Sequence, residues 1–212
     1  MELTSWLQLA LVCLLGAMSP GPSLAVVIGN SLSFGRSYGV FTSLGHGVGI
    51  AWWAMVTAFG LVGILAGHKG LLVTMQLLGT GLIIYIGLRS VFSSKVLKIV
   101  DTQDGPSSPT LLMRAWIEGF LLALFNPKIA IFFLAIFSQL VDSSYGWQET
   151  GLMGVTAATI DALWYIVVSI AVTGAGVLEF IKKRQVIISR ISGTILIVIG
   201  LNFFLRMATT LI

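Results

Sequence analysis

Apolar positions run along this chain in six long stretches, roughly 5–29, 39–66, 70–92, 112–141, 149–178 and 187–209, separated by short polar or turn-rich gaps. A helix needs about 20 mostly apolar residues to cross the hydrocarbon of a bilayer. Each stretch meets that length, so the pattern predicts an all-α integral membrane protein with six transmembrane helices. The longest polar gap, Ser93 to Thr110, contains Gly105-Pro106-Ser107-Ser108-Pro109 and reads as a plain linker with no core of its own. It divides one six-span domain, 1–212, into a first repeat at 1–92, a cytoplasmic linker at 93–111 and a second repeat at 112–212. Three spans is an odd number, so the second half enters the membrane with opposite orientation, and homology between the halves makes an inverted repeat.

Composition closes off a soluble fold. Of 212 residues 57% are hydrophobic and 9% charged, against about 25% charged in soluble domains. So few charges cannot cover the surface of a water-soluble globule. Met1 to Ser19 has the length of a signal peptide, but it carries Glu2, has no Lys or Arg, and its apolar run continues past Ser19. It is expected to remain as the first span. The one cysteine, Cys13, excludes an intrachain disulfide or a thiolate cluster and reads as a small buried hydrophobe.

A net charge of +4 raises nucleic acid as a partner, but the basic residues lie in gaps between apolar runs rather than on one face, so no nucleic-acid contact is expected. Arg36, Arg89, Lys95, Lys98, Arg114, Lys182, Lys183, Arg184 and Arg190 fall in or beside the gaps after spans one, three and five, whereas Lys69 and Arg206 fall on the other side. By the positive-inside rule both termini are then outside the cytoplasm.

Two breaks interrupt this regularity. Ser19-Pro20-Gly21-Pro22 lies within span one and Asn126-Pro127-Lys128 within span four. Proline removes a backbone donor, and a small polar neighbour can serve the freed groups. Backbone left unpaired in hydrocarbon is costly, so broken helices persist where they are packed in protein or line a wet cavity. Paired breaks in corresponding spans point to a binding site. The half-helix N-termini after Pro22 and Pro127 are expected to offer free amides to a carboxylate. The alternative is a pair of packing kinks.

Asp161 stands near the middle of span five, where a carboxylate costs about 2.5 to 3.5 kcal/mol to insert. It therefore needs a proton or a partner. It reads as an ion-coupling group, or else as half of a static ion pair with Lys128. His46, flanked by Gly45, Gly47 and Gly49, suits proton handling, although those glycines equally mark close helix packing. The glycine-rich faces of span two, with Gly60, serve either internal packing or the contact of a homodimer. Glu118 lies near the start of span four and reads as solvated. Trp164 follows Asp161 by three residues and either walls the same space or packs beside it. Gly35-Arg36-Ser37-Tyr38-Gly39 matches a hydrolase nucleophile motif literally but joins two membrane helices, where no strand precedes it. No Walker lysine motif is present, no cofactor is implied, and the ligands for a metal cargo are too few.

Ser19-Pro20-Gly21-Pro22, then Asn30, Gly35-Arg36, Gly39 and Gly45, and later Asn126-Pro127-Lys128, Phe132-Phe133 and Asp161 with Trp164-Tyr165, together resemble the lysine exporter superfamily. The likeness is particularly to its homoserine and threonine exporter (RhtB) branch. The resemblance covers nearly the whole chain. It implies a bacterial inner-membrane exporter of amino acids or their derivatives, driven by the proton-motive force, with Ser19 to Pro22, Asn126 to Lys128 and Asp161 as functional positions. Neutral cargo such as threonine, homoserine or leucine is expected, with a proton as the coupling partner and sodium as the alternative. The rival readings are an intramembrane enzyme using Ser19 or Ser37 with His46, an exporter of another metabolite or a cation, and a packing subunit of a larger complex.

Overall fold

The computed structural model describes residues 2–65, 69–92, 109–142, 144–174 and 177–211, and among them the secondary structure is entirely helical. Most of the predicted linker, 93–108, lies outside the described residues. Its last residues open a helix. Eight helices follow one another: α1 (Leu3–Met18), α2 (Pro22–Ser33), α3 (Arg36–Leu65), α4 (Lys69–Phe92), α5 (Pro109–Leu124), α6 (Pro127–Leu140), α7 (Trp147–Val172) and α8 (Val177–Leu211).

The two predicted breaks are real bends. The α1 and α2 axes meet at 60°, and those of α5 and α6 at 58°. Pro22 and Pro127 each stand in the first turn of the second half-helix, where a missing N–H costs nothing and the fixed φ suits a helix start. Each bent pair is apolar enough to act as one broken span, and α7 and the Val186–Ala208 part of α8 qualify by themselves. Helices α3 and α4, with 30 and 24 residues, extend about 45 and 36 Å at 1.5 Å per residue. The last helix starts ahead of the apolar run expected near 187, so Lys183 and Arg184 sit on exposed helical turns rather than in a gap.

Burial is distributed as lipid, not water, would select. On α3, Leu44, Val48, Trp52 and Val56 recur at four-residue spacing and are exposed, while Thr42, Ser43 and His46 are buried. On α7, Leu163, Val167 and Ile170 face outward, while Asp161 and Ser169 are buried. Large apolar side chains cover the outside and small polar ones meet between helices, where each can find a partner.

Small residues let the helices approach. A Cβ on Gly45 would collide with the Trp116 carbonyl, and one on Gly119 with the Thr42 carbonyl, so α3 and α5 touch backbone to backbone. Gly49 packs on Ala123 in the same seam, and Gly47 on Ala162 of α7. Internal packing therefore explains Gly45, Gly47 and Gly49, whereas a Cβ on Gly60 would meet nothing within 4 Å among the described residues beyond its own helix backbone. Helices α4 and α8 repeat the device: a Cβ on Gly87 would stand 2.7 Å from the Gly193 carbonyl, and one on Gly193 would stand 2.6 Å from that of Gly87. Ser90 and Ser189 hold this second seam, each donating to the other's carbonyl, at 2.9 and 2.8 Å.

Candidate functional site

The site is built from the two breaks upward. At the first, α1 ends with the Ser19 amide bonded back to the Leu15 carbonyl at 3.0 Å. The chain then runs extended through Gly21 into α2, whose N-terminus has no side-chain cap. Since the first amides of a helix lack intrahelical partners, this end stays available to an anion. At the second break the Asn126 side chain accepts from the Lys128 amide at 3.0 Å, and the Asn126 carbonyl accepts from the Ile129 amide at 3.0 Å. The expectation of free amides after Pro127 is thus corrected: Asn126 caps that half-helix itself, because its side-chain oxygen reaches the orphan donor before any ligand can.

The two breaks are tied to each other. Lys128 donates from Nζ to Ser19 Oγ at 3.1 Å, and Asn126 donates from Nδ2 to Ser23 Oγ at 3.2 Å. A Cβ on Gly21 would lie 3.6 Å from Lys128 Nζ, an ordinary contact distance, which places the ammonium beside the α2 N-terminus.

The acid of α7 meets the imidazole of α3. His46 Nδ1 and Asp161 Oδ2 are 2.6 Å apart, with His46 1% and Asp161 6% exposed. The static Asp161–Lys128 pair is not the arrangement formed, since Asp161 takes His46 and Lys128 takes Ser19. The His46 and Tyr165 rings meet in a T-shaped arrangement, centroids 5.0 Å apart. His46 Nε2 is buried and has no hydrogen-bond partner among the described residues. With Nδ1 engaged by a carboxylate, this second ring nitrogen is the one left to exchange a proton or meet a ligand.

All of these groups border one cavity with about 620 Å³ of empty space, part of it open to the surroundings. Of the predicted site residues, Ser19, Gly21, Asn126, Lys128, His46 and Asp161 line it together with Pro22, whereas Pro20 shapes its break without bordering the space. Cys13, Ser23, Phe132 and Tyr165 also line it. Tyr165 was open to detection as the residue one helical turn beyond Asp161; Ser23 and Cys13 carried no sequence signal of their own. Trp164 packs instead against the cluster that contains Leu24, Val27, Ile28 and Val168, because on a helix i+3 and i+4 neighbours fall about 60° and 40° to opposite sides of Asp161.

Glu118 is exposed, as expected, but not isolated. It accepts from Asn30 at 3.2 Å and from the Tyr38 hydroxyl at 3.5 Å. Ser19 and His46 engage other partners, so the Ser–His arrangement of an intramembrane hydrolase is not formed, and Ser37 is exposed on the first turn of α3.

An all-helical chain with lipid-facing apolar surfaces, two broken spans and a polar-edged cavity at their crossing has the build of a membrane transporter. The model of the LysE type translocator family matches residues 14–207, and the chain belongs to that family. It is accordingly a membrane exporter. Similar proteins include the uncharacterized membrane protein YrhP of Bacillus subtilis, 25% identical over 189 residues, covering 86% of this chain and 90% of that protein. An uncharacterized membrane protein of Vibrio cholerae is 27% identical over 165 residues, 77% of this chain and 78% of its own. YahN of Escherichia coli, also an uncharacterized membrane protein, is 26% identical over 186 residues, 87% of this chain and 82% of its own. No solved structure matches.

Proposed function

We propose that this protein exports neutral amino acids or close derivatives across a bacterial inner membrane in exchange for protons. One observation carries the reading: the Lys128–Ser19 and His46–Asp161 pairs border the same cavity at the crossing of two broken helices. A fixed cation and a buried acid around one space suit the two ends of a zwitterion. The carboxylate goes to Lys128 and the uncapped N-terminus of α2, where charge and helix dipole both favour an anion. The ammonium group goes to Asp161. A proton and an ammonium group then compete for the same carboxylate, which couples proton entry to substrate release; His46 holds Asp161 in place and relays the proton through its free Nε2.

The bent pairs α1–α2 and α5–α6, followed by α3–α4 and α7–α8, support six crossings as two inverted repeats, at 1–92 and 112–212. The concentration of Arg and Lys in the gaps after spans one, three and five supports termini on the non-cytoplasmic side. Transport by rocking one repeat against the other around the fixed site follows from that symmetry. The likeness to the RhtB branch supports threonine, homoserine and leucine as the first cargoes to try.

The test is efflux of radiolabelled threonine and leucine from proteoliposomes carrying the purified chain, with and without an imposed pH gradient. Saturable movement of the unmodified amino acid that follows the gradient is the expected result. A chemically altered product would point to an enzyme, and no movement across a broad amino-acid panel would remove the reading.

A further inference from the structure

The cavity wall is not uniformly polar, and the way it divides bears on the cargo. Its polar residues form an arc of two linked groups, Lys128 with Ser19, Asn126 and Ser23 through hydrogen bonds, and His46 with Asp161 and Tyr165 through a hydrogen bond and a ring contact. The remaining wall is apolar apart from the Cys13 thiol, a weak hydrogen-bonding group. Ile50, Phe132, Phe133 and Leu196 belong to a single buried cluster against which Ile86 packs, and none of them carries a hydrogen-bonding side chain. Phe132 and Phe133 meet edge to face with centroids 5.7 Å apart, which stiffens this side of the space. The Phe132 ring is itself seated on Gly16 of α1, where a Cβ would stand 2.7 Å from its Cζ.

Resting on the amino-acid exporter reading, we propose that the cargo is an α-amino acid with an aliphatic side chain rather than a hydroxylated one. With the carboxylate and ammonium group held along the polar arc, the side chain projects against Ile50, Ile86, Phe132, Phe133 and Leu196. An aliphatic group gains there by leaving water. A hydroxyl at the same place loses its water partners and finds at most the weakly hydrogen-bonding thiol of Cys13 in return. An apolar wall rejects an isostere that merely adds a hydroxyl by roughly ten- to a hundredfold, and that range is expected here. Among the neutral cargoes that the family likeness implies, the division of the wall selects leucine over threonine and homoserine.

Two isosteric pairs test this without assuming a fold for any variant: valine against threonine, and norvaline against homoserine, each as a competitor of leucine counterflow in proteoliposomes. Valine and norvaline are expected to compete at concentrations about tenfold or more below those of their hydroxylated partners. Equal or stronger competition by threonine or homoserine would overturn the proposal while leaving the exporter reading standing. No counterflow with leucine, threonine or any other amino acid would instead sink the exporter reading, and this inference with it. Leu196→Ser and Ile86→Thr place a hydroxyl in the apolar wall and should reduce the valine-to-threonine ratio to about threefold or less. That ratio does not depend on how much of the variant folds. A purely structural role for these two residues would depress both competitors alike and leave the ratio unchanged, which would also count against the proposal.

Discussion

His46 of α3 and Asp161 of α7 share a hydrogen bond of 2.6 Å although 115 residues separate them in sequence. The pair joins the second spans of the two proposed repeats, so a change in its protonation acts where the two halves meet. Asp161→Asn keeps the side chain's shape and one acceptor while removing the charge. It is expected to lower gradient-driven export by about a hundredfold, or about 2.7 kcal/mol of transition-state stabilisation, and to flatten its pH dependence. Exchange of labelled for unlabelled substrate at equal pH should survive better than gradient-driven export. A variant whose pH profile is unchanged would separate Asp161 from coupling. His46→Gln should flatten the same profile, and combining the two substitutions should cost little more than the worse single one, since residues acting as one unit are not additive.

Lys128 offers the prediction that separates substrate binding from coupling. Its ammonium group bonds Ser19 across the two breaks and stands beside Gly21. Lys128→Met retains the length of the stem and removes the charge. Loss of a charge-assisted contact to the substrate carboxylate is worth about 2 kcal/mol, or about thirtyfold in KM. The pH dependence set by His46 and Asp161 should persist. Ser19→Ala, which removes only a neutral partner, should raise KM by about threefold or less.

The helix seams predict stability rather than transport. Gly119→Ala would drive a methyl group into the Thr42 carbonyl, and that carbonyl belongs to a helix with no room to retreat. Overpacking of this kind costs about 1 to 3 kcal/mol or more, and thermal unfolding in detergent should fall accordingly, with reduced yield from the membrane. Gly60→Ala is the control, because among the described residues nothing beyond its own helix backbone stands within 4 Å of its Cβ position. It should leave the melting temperature unchanged or raise it slightly, since alanine is the better helix former.

Cys13 supplies a reporter of cavity occupancy. It is the only cysteine of the sequence, it is buried, and it borders the cavity. Alkylation by a small membrane-permeant maleimide should be slow, and saturating substrate should slow it further by about tenfold. Mass spectrometry of the intact chain follows the reaction directly. Equal labelling with and without a transported amino acid would mean that the substrate does not occupy this space. Cys13→Ala should abolish labelling while leaving transport close to normal.

The helical, lipid-facing character of the chain and its two bends were legible before any coordinates, because both are local. A run of apolar residues is a helix in hydrocarbon whatever surrounds it, and a proline within such a run breaks it through its own ring and missing N–H. Pro22 and Pro127 accordingly open half-helices at the predicted places. The limits of legibility are equally physical. Trp164 and Tyr165 are adjacent and aromatic, yet only Tyr165 borders the cavity, because their directions differ by one step of the helix. Likewise Asn126 was readable as the polar companion of a proline, but not as the cap that occupies the amides of its own half-helix.

What the sequence by itself determined was therefore the solvent of the protein, the approximate extent of its helices, the position of both breaks and the presence of one acid and one lysine at depth. Tertiary structure decided the partners. Asp161 could have met Lys128 by charge alone, but the approach of α3 to α7, made close by Gly47 against Ala162, brings His46 to it instead, and the crossing of the two breaks gives Lys128 to Ser19. Pairing between distant side chains depends on how closely backbones approach and at what rotation, and those are properties of packed helices that no single segment carries.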